Sequence, residues 1–326
     1  MIKMKKFFAI SASLILCITM LTGCKGGSEG AAVDAQAFVP QEADISENDP
    51  DLGYDNEESE VAVSDEDGDV SDDNSEQADE EAAENVSGEK LTVSLQDAIV
   101  GAFVTFGSYE QDNDPSNGNE AIEWEVLDVQ DGKALLVSSY VLDTIPYNID
   151  NIDVTWESCS LRKWMNEDFY NSAFSLDEQS KILDTNVINE GNPLYGTEGG
   201  NDTNDTIDKI FALSVDEIRK YYDFNSWNDK EMDGYSEELV IEPTPYAVEK
   251  GILPFEVTES NIKAVGENYS NDVIGHIGCD WWLRSPGHYG YRACYVRWGG
   301  FTGHSSYTGV FSVKVGVRPA LWVNIK

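Results

Sequence analysis

The sequence predicts an α+β domain dominated by antiparallel sheet, from residue 91 to residue 326, behind a long acidic segment. All 8 tryptophans lie in this C-terminal region. Short apolar runs alternate there with turn residues, and a few short segments carry helix-capping patterns. Because these runs do not alternate with long helices, the pattern indicates an α+β class and not a parallel sheet.

The predicted strands are short, and the clearest pair is joined by a hairpin. Asp131-Gly132 lies between two apolar runs, which is a strong signal for a tight turn. The predicted strands cover 100–106, 122–129, 134–139, 281–287, 293–298, 310–313 and 315–325.

The predicted helices are few. The longest covers 160–174, where large apolar residues recur at helical spacing. Ser175 and Ser214 are each followed three residues later by a glutamate, a capping-box pattern that begins two more short helices, the first of them through Leu183. One further helix is predicted at 245–250, closed by a glycine.

The N-terminus has the parts of a bacterial lipoprotein signal peptide at residues 1–23. Three lysines are followed by an apolar stretch of 14 residues, 7–20, which has the length of a signal h-region and is short for a bilayer span. Residues 21–24 read Leu-Thr-Gly-Cys, an aliphatic residue, two small residues and a cysteine. We therefore expect export, acylation of Cys24 and anchoring to the outer face of the cell membrane. An uncleaved helix or an ordinary secretory signal is the alternative.

Residues 24–90 are predicted to be a disordered linker that tethers the domain. The stretch 28–90 holds 23 acidic residues and one basic residue, and it contains too little apolar surface to offset its chain entropy. The region 91–326 is acidic as well, with 38 acidic and 16 basic residues. Both parts would repel nucleic acid and anionic lipid headgroups, so nucleic acid is not an expected partner.

Four motifs occur in order within the predicted domain. They are WESCSLRKWMN at 156–166, DKIFALS at 208–214, WWLRSPG at 281–287 and GVRPAL at 316–321. Together they resemble an uncharacterised bacterial domain family that is often carried on exported and lipid-anchored proteins. That family is related to the fold shared by C-type lectins and the formylglycine-generating (sulfatase-modifying) enzymes. The resemblance implies a C-type-lectin-like fold but no reaction, because the family has no assigned activity.

Three cysteines remain after the signal segment. The formylglycine-generating enzymes bind copper through two active-site cysteines, and no such pair is recognisable here. Export permits disulfides, and proximity in the sequence favours a bond between Cys279 and Cys294. The alternative is that these two and Cys159 are small buried thiols.

The tryptophan motif offers two candidate ligand residues. An exposed Trp281 could stack on a sugar, and Arg284 could supply a fork of hydrogen-bond donors. The alternative is that Trp281 and Trp282 both pack in the core.

The segment 288–307 combines glycines with many aromatic residues, which is typical of recognition surfaces. An aromatic strand meander that packs on itself is the alternative. The candidate ligand-binding residues in this segment are Tyr291, Arg297, Trp298, His304 and Tyr307.

Calcium is the only cofactor that the sequence suggests. The loop 189–208 is rich in oxygen ligands, and Trp227-Asn228-Asp229 resembles the calcium-ligating tripeptide of sugar-binding C-type lectins. The three histidines lack a close zinc-binding spacing.

These features favour a non-catalytic recognition domain for a glycan or a protein, displayed at the cell surface. The sequence contains no nucleophile elbow, Walker loop or H-E-x-x-H motif. One alternative is an extracellular enzyme that acts on cell wall or polysaccharide through an unrecognised carboxylate site. The other is a structural envelope lipoprotein.

Overall fold

The computed structural model describes residues 90–191, 204–223, 226–228, 233–260, 273–302 and 307–326. The predicted signal peptide, Cys24 and the linker up to residue 89 lie outside these residues, as does His304. Within the described ranges, no helix has both the length and the apolar composition to cross a bilayer.

Fourteen short strands, five short α-helices, one π-helical turn and two 3₁₀ turns (Leu95–Asp97 and Glu237–Leu239) make up the described regular structure. The strands are β1 (Phe103–Tyr109), β2 (Glu120–Gln130), β3 (Lys133–Ser138), β4 (Thr185–Val187), β5 (Thr206–Asp208), β6 (Ser226–Asn228), β7 (Asp233–Tyr235), β8 (Phe255–Glu256), β9 (Ile277–Gly278), β10 (Trp281–Pro286), β11 (Arg292–Val296), β12 (Phe301–Thr302), β13 (Tyr307–Gly309) and β14 (Ala320–Asn324). The helices are α1 (Ser160–Trp164), α2 (Tyr170–Ala173), α3 (Leu176–Gln179), α4 (Val215–Tyr221) and α5 (Pro245–Glu249).

The largest sheet has the order β1-β2-β3-β14, with every neighbour antiparallel. Gln130 pairs with Lys133 across the two-residue turn between β2 and β3. Asp131 and Gly132 have φ angles of 52° and 77°, the left-handed conformation that a type I′ turn requires. The predicted hairpin is therefore confirmed.

A second sheet, with the order β10-β11-β13, contains the tryptophan motif. The predicted strand at 310–313 is wrong, because the chain pairs slightly earlier, in β13, and then turns. The predicted strand at 315–325 is divided. Gly316 forms a bridge with Trp281, and Pro319, which lacks an N–H donor, separates that bridge from β14. The smaller sheets are β12-β7-β6, β4-β5 and β8-β9.

The predicted helix at 160–174 is one continuous helical segment with an inserted turn of π-helix. α1 is followed by π-helical residues Met165–Phe169 and then by α2. Leu161, Met165 and Phe169 are fully buried, so the apolar spacing that predicted the helix also marks the face that packs on the core.

Both predicted capping boxes are present. The side-chain oxygens of Ser175 and Ser214 accept hydrogen bonds from the backbone N–H groups of Glu178 and Glu217, and the carboxylate of each glutamate accepts one from the backbone N–H of its serine. α3 ends at Gln179 and not at Leu183, since the chain there joins the main sheet through a bridge from Ile182 to Val323.

The main sheet and the helical segment share one large core. The ring of Phe174 lies 5.3 Å from that of Phe106 and 6.3 Å from that of Trp124, measured between centroids. The architecture is mixed α and β with mostly antiparallel sheets and few short helices, which confirms the predicted class.

Candidate functional site

The two tryptophans of the WWLRSPG motif lie in the core. Trp281 and Trp282 are fully buried. Their indole N–H groups donate to the carbonyl oxygens of Leu239 and Ile145, at 3.4 and 3.1 Å. Neither ring presents a face to solvent, so the predicted ligand-binding role of Trp281 is wrong.

Arg284 is also buried, and its guanidinium is fully used inside the protein. It forms a two-pronged ion pair with the Glu217 carboxylate. Its other donors reach Asn189 Oδ1 at 3.2 Å and the carbonyls of Ala212 and Ile188 at 2.9 and 3.1 Å. All five donors of the guanidinium have acceptors, so the structure assigns Arg284 to the scaffold and not to a ligand.

The remaining motifs build the same scaffold. Asp208 accepts hydrogen bonds from the Trp156 indole at 2.9 Å and from Arg162 Nε at 2.6 Å. Arg318 donates to the carbonyl of Ser138 at 2.9 Å and pairs with Glu125 at 3.2 Å. The most recognisable residues of the sequence therefore connect buried segments to one another.

A cleft of about 260 Å³ lies above the Arg284–Glu217 pair. Its rim includes the carboxylates of Glu190 and Asp216 and the hydroxyl of Ser214. Since the only arginine in this lining is already bonded at every donor, the cleft offers an anionic ligand no free guanidinium among its described residues.

The aromatic residues predicted from 288–307 do not form a single site. Tyr291 and Trp298 lie beyond opposite ends of β11, seven residues apart in the chain. At about 3.3 Å per residue, β11 itself spans about 13 Å between them. The two residues are close in the sequence but not in space, because an extended strand separates them.

Trp298 belongs to a separate small apolar cluster. Its ring packs 5.7 Å from that of Phe255, and its backbone N–H donates to the Asp280 carboxylate at 2.8 Å. Burial raises the pKa of Asp280 to about 6, against smaller lowering effects from that hydrogen bond and from the charge of Arg297. Arg297 itself is exposed.

Tyr307 is half-buried against the large core. The guanidinium of Arg292 lies 5.2 Å from its ring and 5.7 Å from that of Tyr291, within the range of a cation–π contact. His288 packs its ring 6.5 Å from Tyr307. Of the predicted site residues, Tyr291 and Tyr307 therefore lie near one another, around Arg292.

An exposed aromatic pair lies at this end of the sheet. Tyr289 and Tyr291 are 47% and 37% exposed, and their rings stack with centroids 5.5 Å apart and planes 2° from parallel. Three further exposed apolar side chains come from segments bonded to the same backbone: Ile149, Ile152 and Phe311. We call these five residues the tyrosine face.

The tyrosine face is held by backbone contacts between its three segments. The N–H of Val154 donates to Gly290 at 2.9 Å, that of Val310 to Tyr291 at 3.0 Å, and that of Asn148 to Val310 at 2.8 Å. A side chain at Gly290 would collide with Asp153, since a Cβ there would lie 2.8 Å from Asp153 Cγ. The loop before α1 and the β10–β11 turn are therefore in direct contact.

The sequence identified only Tyr291 within this face. Tyr289 lies in the same aromatic segment of the sequence but is not among the predicted ligand-binding residues. Ile149 and Ile152 carry no sequence signal that separates exposed isoleucines from buried ones.

The predicted disulfide between Cys279 and Cys294 is not formed. Trp282 lies opposite Tyr295 and Pro286 opposite Ala293 in the β10–β11 pair, so Cys294 is level with residues 283–285, at least four residues along the chain from Cys279. That offset separates the two Cα atoms by about 13 Å, whereas a disulfide spans less than about 7 Å.

The three described cysteines are buried free thiols. Cys279 and Cys294 donate to the carbonyls of Ile241 and Pro286, at 3.5 and 3.3 Å. Burial raises the pKa of Cys159 to about 12, so this thiol stays protonated and unreactive at neutral pH.

The calcium predictions fall largely on residues that the structure does not describe, namely 192–203 and Asp229. A different group of carboxylates, Glu110, Asp112 and Glu120, has oxygen atoms within 4.8 Å of one another at the surface. Calcium binding therefore stays a prediction.

The comparisons with known proteins identify a family. A family model described as "Domain of unknown function (DUF6273)" matches residues 131–325. No curated protein and no solved structure matches the chain.

Proposed function

Because the chain belongs to the DUF6273 family, whose function is unknown, we propose a function from its own residues. We infer that it is a non-catalytic recognition domain for a glycan or protein ligand. The observation that carries this proposal is the tyrosine face, above all its exposed and stacked pair, Tyr289 and Tyr291. Hydrogen bonds from neighbouring segments hold the backbone of this turn.

The physical argument concerns the cost of binding. Tyrosine supplies a large contact area for few rotatable bonds, so little conformational entropy is lost when it contacts a ligand. Tyr289 and Tyr291 are already stacked, which lowers that cost further because each ring restricts the other.

The predicted lipid anchor, the linker and the fold are part of the same proposal. Acyl chains on Cys24 would hold the chain at the outer face of the membrane, and residues 24–90 would carry the domain away from it. The antiparallel-rich α+β architecture supports the proposed C-type-lectin-like fold. In this arrangement the domain searches for ligands within reach of its tether.

Replacement of both tyrosines by alanine tests the recognition role. We expect Tyr289→Ala/Tyr291→Ala, in the chain from residue 25 onward, to weaken binding to a glycan or protein ligand by about 30-fold or more, since the loss of a single aromatic hot-spot residue costs about 2 kcal/mol or more. Tyr140→Ala is the matched control, because Tyr140 is similarly exposed at 36% and lies outside the face. A ligand bound equally well by the double variant would refute the assignment.

The anchor is tested separately. Cys24→Ser in the full chain should abolish incorporation of a labelled fatty acid and move the protein from the membrane fraction to the medium. Retention of the label in this variant would contradict lipidation at Cys24.

A further inference from the structure

We propose that the tyrosine face binds a positively charged protein segment with apolar side chains. This inference rests on the proposed recognition function and narrows its ligand from a glycan or a protein to a basic peptide or protein surface.

The loop before α1 presents apolar and acidic side chains side by side. Residues 149–153 read Ile-Asp-Asn-Ile-Asp. Ile149 and Ile152 are 69% and 55% exposed, and Asp150 and Asp153 are exposed as well. The loop thus offers two apolar anchors, each followed directly by a carboxylate.

Hydrogen bonds fix the shape of this loop. The N–H of Ile149 donates to Ser160 Oγ at 2.9 Å, and that of Ile152 to the carbonyl of Asp150 at 3.0 Å. The Asn148 side chain donates to the same carbonyl at 3.0 Å. Because these bonds hold the backbone, the exposed isoleucines are a persistent feature of the surface.

The aliphatic residues favour a protein over a neutral glycan. Sugars stack on flat aromatic rings, but branched aliphatic side chains offer neither a flat surface nor a hydrogen bond. Ile149, Ile152 and Phe311 are instead desolvated best by apolar side chains of a partner. Exposed apolar residues that are grouped on a surface mark protein interaction sites, and these three are carried by segments whose backbones are bonded to that of Tyr291 or Gly290.

Charge complementarity favours a basic partner. The region 91–326 has 38 acidic against 16 basic residues, and Asp150 and Asp153 border the face. The nearby cation, Arg292, lies against the rings of Tyr291 and Tyr307. The same negative charge disfavours a second copy of this chain and an anionic lipid surface, since both would be repelled.

A random dodecapeptide library, displayed on phage and selected on the immobilised chain from residue 25 onward, tests the inference. We expect the selected peptides to be rich in lysine and arginine together with leucine, isoleucine or aromatic residues. Synthetic copies should bind about ten-fold more weakly or worse when salt rises from about 50 to about 500 mM, because surface charge is screened.

Two double variants test whether the selected peptides bind at the tyrosine face. Ile149→Ser/Ile152→Ser should abolish peptide binding, and Asp150→Asn/Asp153→Asn should weaken it by about five-fold or more at low salt, in keeping with about 1 kcal/mol or less per exposed charge. Leu176→Ser/Asp177→Asn is the matched control, an exposed apolar–acidic pair on α3. Unchanged thermal unfolding of each variant would show that the fold is intact.

Several results would overturn the inference. These are selection of neutral or acidic peptides, selection of none, binding that is insensitive to salt or to the isoleucine substitutions, and dimerisation through this face in light scattering. Binding of a neutral polysaccharide that Tyr289→Ala/Tyr291→Ala abolishes would overturn the basic partner but support the recognition function. Peptide binding that ignores the tyrosine substitutions would count against both.

Discussion

Substitution of Arg284 by methionine is expected to destabilise the protein by about 3 kcal/mol. The side chain is 4% exposed and donates to Glu217, Asn189 and two carbonyls. Loss of one partner of a buried ion pair commonly costs about 3–5 kcal/mol. We take the lower end because Glu217 is 28% exposed and water can partly solvate its carboxylate. Methionine retains an apolar stem, so the cavity term is small.

Thermal and urea unfolding of Arg284→Met measure this effect. For a domain of this size, about 3 kcal/mol corresponds to a fall in Tm of about 6–12 °C. Lys163→Met is the matched control, since Lys163 is an exposed cation outside every candidate site and its loss should change stability by less than about 0.5 kcal/mol. A variant with wild-type stability and lost ligand binding would refute the scaffold role of Arg284 and restore it as a ligand residue.

Three further predictions follow from the local geometry. Asp280→Asn keeps an acceptor for the Trp298 N–H but does not titrate. Because the pKa of Asp280 is raised from 3.8 to about 6, the folded state binds more protons than the unfolded state between these two values, and the wild type should lose up to about 3 kcal/mol relative to this variant as pH rises from about 4 to about 6. A difference in unfolding free energy that does not change over this pH range would contradict it. Gly132→Ala should cost about 1–2 kcal/mol in urea unfolding, since residue 132 has a φ of 77° and a Cβ disfavours the left-handed conformation; Gly132→Asn should cost less. Alkylation in denaturant without reductant, followed by mass spectrometry, should modify both Cys279 and Cys294; protection of the pair until reduction would show a disulfide.

Local signals predicted the local structure well. The Asp131-Gly132 turn and the capping boxes at Ser175 and Ser214 are present because each depends on residues within a few positions of one another. The predictions that were wrong depend on distant pairing. The sequence did not show that β14 returns to pair with β3, nor that β11 separates Tyr291 from Trp298.

The difference between local signals and contacts that depend on distant residues also explains why the most recognisable motifs did not locate the candidate site. Arginine and tryptophan are typical of ligand contacts and of buried cross-links alike, and only the three-dimensional partners distinguish the two roles. Arg284 and Trp156 bond to Glu217 and Asp208 within the protein. These motif residues therefore hold distant segments of the scaffold together. The tyrosine face lies outside these motifs along the chain: Ile149 and Ile152 precede the first motif, and its other three residues lie between the last two. The motifs of this chain therefore account for its framework, and its ligand must be inferred from its exposed residues.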